Sequence, residues 1–398
     1  MTKSDDKRVP TLRFKGFTDE WEQRKLNSFL VEYKKKTKIN NQYPVLTSSR
    51  QGIFFQKDYY DGNQIASKNN VGYNIVPRDY FTYRHMSDDT IFHFNINTLC
   101  DYGIVSTLYP VFTTINQLSS SWLYYYLNYG NDMKRYALLQ KQGGSRTYMY
   151  FSKLKNMLAH IPSVKEQDSI AKILLKIDKL ITLQQRKLND LSSMKSALLQ
   201  NIFPNTQGIK KIKLSTQEWN LQKISSIFKE RNQRNKNGML LSVSISKGVY
   251  PFSENDRKDN SSNDKSNYKE VKINDLAYNS MRMWQGAVGV SKYNGIVSPA
   301  YTVITPKKEE NPNFYYYYFK NKRMLFNFRQ HSQGLTSDTW NLKFPLFEKI
   351  LIQVPSDKEE EQRISSLFKQ LDKSIDLNKI HIEKLTSIKQ FLLQNMFI

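Results

Sequence analysis

From Lys165 to Phe203, apolar residues return in steps of three and four: Ile170, Ile173, Ile177 and Leu180, then Leu191, Met194 and Leu198. Leu174, Ile181 and Leu188 widen the stripe. This period predicts a long amphipathic helix carrying a heptad seam. A second run, Lys358 to Phe397, repeats the seam with Ile364, Leu367, Leu371, Leu385, Ile388 and Leu392. Pro162 and Pro355 stand just ahead, where a helix can begin but not extend backwards. Neither run contains Pro or Gly, and about 39 residues at about 1.5 Å each give a rod on the order of 58 Å. The apolar pattern lapses mid-seam at Gln184 and at its counterpart Asn378. In an antiparallel pair these midpoints are expected to face each other. Such a buried polar pair costs stability but penalises shifted registers.

The whole chain is written twice. Ile170, Ile173, Ile177, Asp178, Lys179, Leu191, Lys195 and Leu198 to Asn201 recur, at one constant spacing, as Ile364, Leu367, Leu371, Asp372, Lys373, Leu385, Lys389 and Leu392 to Asn395. Phe203 recurs as Phe397. Upstream, Gly103-Ile104-Val105-Ser106 returns as Gly295-Ile296-Val297-Ser298, and Glu20-Trp21 as Glu218-Trp219. Such self-similarity fixes the architecture before any local reading.

Strand-like runs at Val111 to Ile115 and Tyr301 to Thr305 precede aromatic helical segments around Tyr124 to Tyr126 and Tyr315 to Tyr318. Each half therefore reads as a small α+β domain, with the tyrosines as packing residues rather than base-stacking platforms. The predicted organisation is an N-terminal segment over 1–19, a globular domain over 20–160 and a spacer helix over 161–204. A linker over 205–217, a second globular domain over 218–353 and a second spacer helix over 354–398 follow. The fold class is α+β: two globular domains and two long helices pairing as an antiparallel coiled coil, in a pseudo-twofold internal repeat. Tyr250 to Lys269, rich in Ser, Asn, Asp and Lys, is a polar loop without a close twin. One scaffold presenting two different surfaces is the consequence.

Charge narrows the partner. Lys and Arg number 60 against 36 acidic residues, a formal net charge of +24, which favours a polyanion. Candidate DNA readers are polar or basic side chains in loops, where they reach base edges while lysines neutralise phosphate. These are Arg84, His85, Arg146 and Tyr148 in the first half, and Arg282, Gln285, Lys292 and Gln333 in the second. A polar N-terminus and the lack of any run of about 18 apolar residues predict a soluble, cytoplasmic protein with no membrane partner. The single cysteine, Cys100, excludes an internal disulfide framework and reads as a buried structural thiol.

Catalytic motifs are wanting. No Gly-x-x-x-x-Gly-Lys-Ser/Thr loop occurs, and Asn311-Pro312-Asn313-Phe314 lacks the second proline of an adenine methyltransferase motif. Asp264 with Glu270-Val271-Lys272 resembles a nuclease triplet, of a kind that arises easily in a Lys-rich chain. The five histidines show no metal-ligand spacing. The chain is read as non-catalytic, with no catalytic residue and no metal site.

Pro10-Thr11-Leu12-Arg13-Phe14-Lys15-Gly16-Phe17 followed by Trp21 resembles the start of Type I restriction specificity subunits. Tyr278 to Val290 and Gly295 to Tyr301 are similar to segments of that family's target-recognition domains, and the two Leu-Leu-Gln-Asn-x-Phe endings to the ends of its spacer helices. The first half departs from the pattern, with Tyr83-Arg84-His85-Met86 where Tyr278-Asn279-Ser280-Met281 stands and no Trp-Gln-Gly after it. The resemblance implies that each domain reads one half of a bipartite, asymmetric double-stranded DNA site. It implies two methyltransferase subunits and ATP-dependent restriction subunits as partners, with S-adenosylmethionine, ATP and Mg²⁺ held by those partners and not by this chain. The alternative is a stand-alone nucleic-acid-binding protein whose seams serve only to dimerise it.

Overall fold

The structure is a computed structural model and describes residues 9–61, 69–141, 145–204, 212, 218–254, 264–307 and 310–398. Most of the expected 205–217 linker and the middle of the Tyr250 to Lys269 loop lie outside the described residues. The chain divides into two compact units, Met1–Gln185 with Ile380–Ile398, and Arg186–Lys379.

In the first unit a four-stranded antiparallel sheet runs in the order Leu30–Glu32, Val111–Thr114, Phe81–Tyr83, Phe94–Ile96. Around it lie two-stranded ribbons: Glu22–Lys25 with Leu158–Ile161, Leu46–Ser49 with Gly52–Phe55, and Asn74–Pro77 with Tyr102–Val105. The helix Ser120–Tyr129 buries Trp122, Leu123, Tyr125, Tyr126 and Leu127, so it is apolar nearly all round and sits inside the core. There Trp122 meets Trp21 edge-on at 6.0 Å and stacks on Tyr126 at 4.6 Å.

The second unit repeats this plan. Its sheet runs Phe228–Glu230, Tyr301–Pro306, Leu276–Asn279, Val288–Val290. The aromatic helix Pro312–Phe319 starts with Pro at its first position, and the Asn311 side chain accepts from the Asn313 and Phe314 amides. Its buried Phe314, Tyr315, Tyr317 and Tyr318 make it this unit's central pillar. The tyrosine runs are packing residues in both units, as their match between copies predicts.

The first long helix spans Val164–Ile202 and the second Lys358–Asn395. In the first unit Ile170, Leu174, Leu393, Met396 and Phe397 share one core, and Asp178 pairs with Lys389 at 2.7 Å, so the two helix segments run antiparallel. In the second unit Ile202, Phe203, Ile364 and Phe368 share a core, and Lys195 pairs with Asp372 in the same sense. Phe397 thereby lies 6.2 Å from Trp122 in one unit, and its repeat partner Phe203 stacks on Tyr318 at 4.9 Å in the other.

The seam follows a different line from the one expected. Leu174 is fully buried where Leu180 is 37% exposed, and Ile375 is buried where Ile388 is 50% exposed. Ile173 and Leu367 are only partly buried flanks, and Met194 is largely exposed. Ile170, Ile177, Ile364, Leu371 and Asn378 are buried, while Gln184, Leu191 and Leu385 are partly buried. Both lines share these residues and differ only in whether the intermediate residue comes three or four positions later. Asn378 is 3% exposed.

Candidate nucleic-acid interface

Each recognition surface starts where a sheet strand runs out. In the first unit Phe81–Tyr83 leads into Arg84 and His85, and Met86–Ser87 then pairs with Thr147–Tyr148. Tyr83 is buried and donates its hydroxyl to the Met149 carbonyl at 2.8 Å, while the Met149 amide donates to the His85 carbonyl at 2.7 Å. The backbone on either side of Arg84 is therefore fixed, and its side chain is exposed just past the strand's end. The His85 ring contacts the Leu108 carbonyl through Nδ1 at 2.5 Å and lies 4.9 Å from the Tyr150 ring, which stacks on Tyr148. Arg84, His85, Arg146 and Tyr148, far apart in sequence, are thus brought onto one surface.

Two carboxylates organise that surface. Asp89 accepts both arms of Arg50 at 2.6 and 2.7 Å and the Ser87 hydroxyl at 2.8 Å. These hydrogen bonds, Arg50 first, hold its carboxyl well below the usual range. Asp88 accepts from Arg146 Nε at 2.9 Å. Beside them opens a cleft of about 240 Å³, bordered by Ser49, Arg50, Tyr60, Arg84, His93 and Tyr109. Burial lowers the His93 pKa and favours its neutral form there. Asn95 props the hairpin over the cleft, donating to Ser48 Oγ at 2.8 Å and to the Ser49 carbonyl at 2.9 Å.

In the second unit Arg282 precedes and Gln285 ends the short turn Met283–Gln285, which Gly286 closes at φ +84°. Gln333 pairs with Asn341 through backbone bonds of 3.0 and 2.7 Å, and Leu342 donates to the Ser280 carbonyl at 2.8 Å, the counterpart of Met149 on His85. Trp284 meets Trp340 edge-on at 5.1 Å, with the Arg329 guanidinium over Trp340. Arg282, Gln285 and Gln333 therefore belong to adjoining loops. Lys292 is exposed beyond Val288–Val290, at the far end of the Leu276–Asn279 strand from Arg282, and does not join them.

Sequence reasoning singled out neither Arg50, Asp88 and Asp89 nor Asn95, because the contacts that give them roles span long separations. Asp264 caps its own turn through Ser266, and Glu270 pairs with Arg231 and Lys272 at 3.6 Å each, so neither carboxylate takes up a nuclease arrangement. Among the described residues no group of three or more His, Cys, Asp or Glu is placed to hold a metal, and no helix is long and apolar enough to cross a membrane. Cys100 is only partly buried, its thiol directed at Asn97 Oδ1.

In fold the chain is similar to the Type-I restriction-modification system S subunit from M. genitalium, with 14% identity, a TM-score of 0.57, and 98% of this chain and 99% of that one covered. An HsdS subunit from Thermoanaerobacter tengcongensis aligns at 12% identity and a TM-score of 0.47, over 95% and 96% of the two chains. The family model for the Type I restriction modification DNA specificity domain matches twice, at residues 18–193 and 216–387. With that domain present in duplicate over most of its length, the chain belongs to the Type I restriction-modification DNA specificity family.

Proposed function

We propose that this protein supplies the sequence address of a Type I restriction-modification complex, each unit reading one half of a split, asymmetric duplex site. The observation that carries the reading is conserved framing around dissimilar readers. Both units share one sheet order and one helix junction, in which Tyr125 donates to Asp178 in one and Tyr317 to Asp372 in the other, at 2.7 and 2.8 Å. The loops beyond the sheet share almost nothing: a cleft with Arg84, His85 and Tyr148 in one, Arg282, Gln285 and a tryptophan pair in the other. Two different surfaces on one scaffold suit two different half-sites. The chain itself is non-catalytic. Two adenine-N6 methyltransferase subunits dock on it, ATP-dependent restriction subunits join them, and S-adenosylmethionine, ATP and Mg²⁺ belong to those partners.

Genome-wide mapping of N6-methyladenine in a host carrying the gene tests this. A split, asymmetric motif that vanishes on deletion of the gene is expected. Methylation that persists unaltered, or a continuous palindrome, overturns it.

A further inference from the structure

Two arginines, Arg50 and Arg84, line the first unit's cleft, and a third, Arg146, pairs with Asp88 of its lining; Arg50 and Arg146 are already engaged. Arg50 gives both arms to Asp89, and Arg146 is paired with Asp88, so their charge is spent on holding the Ser87–Asp89 turn against the hairpin and against Thr147–Tyr148. Arg84 stands at the same cleft with no hydrogen bond or ion pair among the described residues. It is exposed, and its backbone lies between Tyr83 and His85, both anchored to Met149. A guanidinium with all donors unspent, on a rigid strand end, is pre-organised for a bidentate acceptor. In a duplex the base edge offering two acceptors side by side is guanine, through O6 and N7 in the major groove.

We infer that Arg84 reads a guanine of the half-site bound by the first unit, while Arg50 and Arg146 are positioning residues that shape the cleft without contacting bases. The inference rests on the half-site reading above and removes Arg146 from the set of base readers.

The test uses the complex purified with its methyltransferase subunits and duplexes carrying the site mapped in the host. Each guanine of the site is replaced in turn by 7-deazaguanine, which lacks the N7 acceptor. For wild type, one replacement, confined to one half of the site, is expected to weaken binding about tenfold or more. Arg84→Ala and Arg84→Lys are expected to bind the unmodified site more weakly and to lose sensitivity to that replacement, whereas Arg50→Ala keeps it. Because Arg84 is exposed, both variants should melt with wild type. Insensitivity of wild type to every replacement overturns the inference, as does an Arg84→Ala complex that remains equally sensitive. Binding by Arg84→Ala that is weakened to the same degree on every duplex, the 7-deazaguanine ones included, marks a phosphate contact and overturns it too. Absence of any split motif in the host defeats the half-site reading itself, an outcome distinct from these.

Discussion

Arg13, in the N-terminal stretch that carries the family resemblance, donates from Nε and Nη2 to Glu166 at 2.8 and 2.7 Å, where Glu166 is 2% exposed at the start of the first long helix. Its repeat counterpart Glu360 is served instead by the Trp219 indole at 3.1 Å. Removing one partner of a buried pair leaves a charge without compensation. Arg13→Ala is therefore expected to destabilise the protein by about 3 kcal/mol, read by urea unfolding. Lys320 offers a pH test. Burial, helped by nearby Lys195, pushes its pKa down to about 8. The folded state thus binds fewer protons than the unfolded chain between about pH 8 and the ordinary lysine value, so this group's contribution to stability rises with pH across that window. Melting of wild type and Lys320→Met at pH 7.5, 8.5 and 9.5, each about one unit apart, is expected to shift progressively in favour of wild type. A difference independent of pH would show that Lys320 does not titrate there.

At the level of the helices, the seam separates buried from exposed leucines on one stripe. Leu174→Ala is expected to cost about 2–5 kcal/mol, whereas Leu180→Ala, at 37% exposure, should cost about 1 kcal/mol or less. Equal losses in denaturant titrations would restore the line through Leu180. The sequence contained the means to choose between them. Along the line through Ile173 and Leu180 the next members are Lys187 and Met194, while along the line through Leu174 and Ile181 the next is Leu188. In the second helix Phe368, Ile375 and Ile382 outdo Leu367, Ser374 and His381. The duplication and both helices were legible because repeats and periods are properties of the string. The pairing of Arg146 with Asp88, and of Arg50 with Asp89, was not, since choosing one carboxylate for each arginine requires the tertiary contact itself. Lys292 and Arg282 likewise look like neighbours in sequence until the hairpin places them at opposite ends of a strand.

For the molecule as a whole, the formal charge of +24 favours phosphate neutralisation as a source of affinity for a duplex. Binding of the complex to its target is expected to fall by about 10³ between about 50 and 200 mM salt, as measured by fluorescence anisotropy. A flat salt response would mean that the basic residues lie away from the duplex.

The contrast between Asn95 and its counterpart Gly289 carries a last consequence. A Cβ added at Gly289 would come within 2.4 Å of the Val249 amide nitrogen and 2.7 Å of Gly248 Cα, so main chain rests directly on main chain there. Under the first hairpin a side chain, the Asn95 amide, fills the space between the layers, so a change of residue there need not bring backbone against backbone. Under the second, any enlargement must pry two backbones apart. Inherited changes of target preference should accordingly accumulate beneath the hairpin in one copy, and be diverted to the loops around Trp284 and Trp340 in the other.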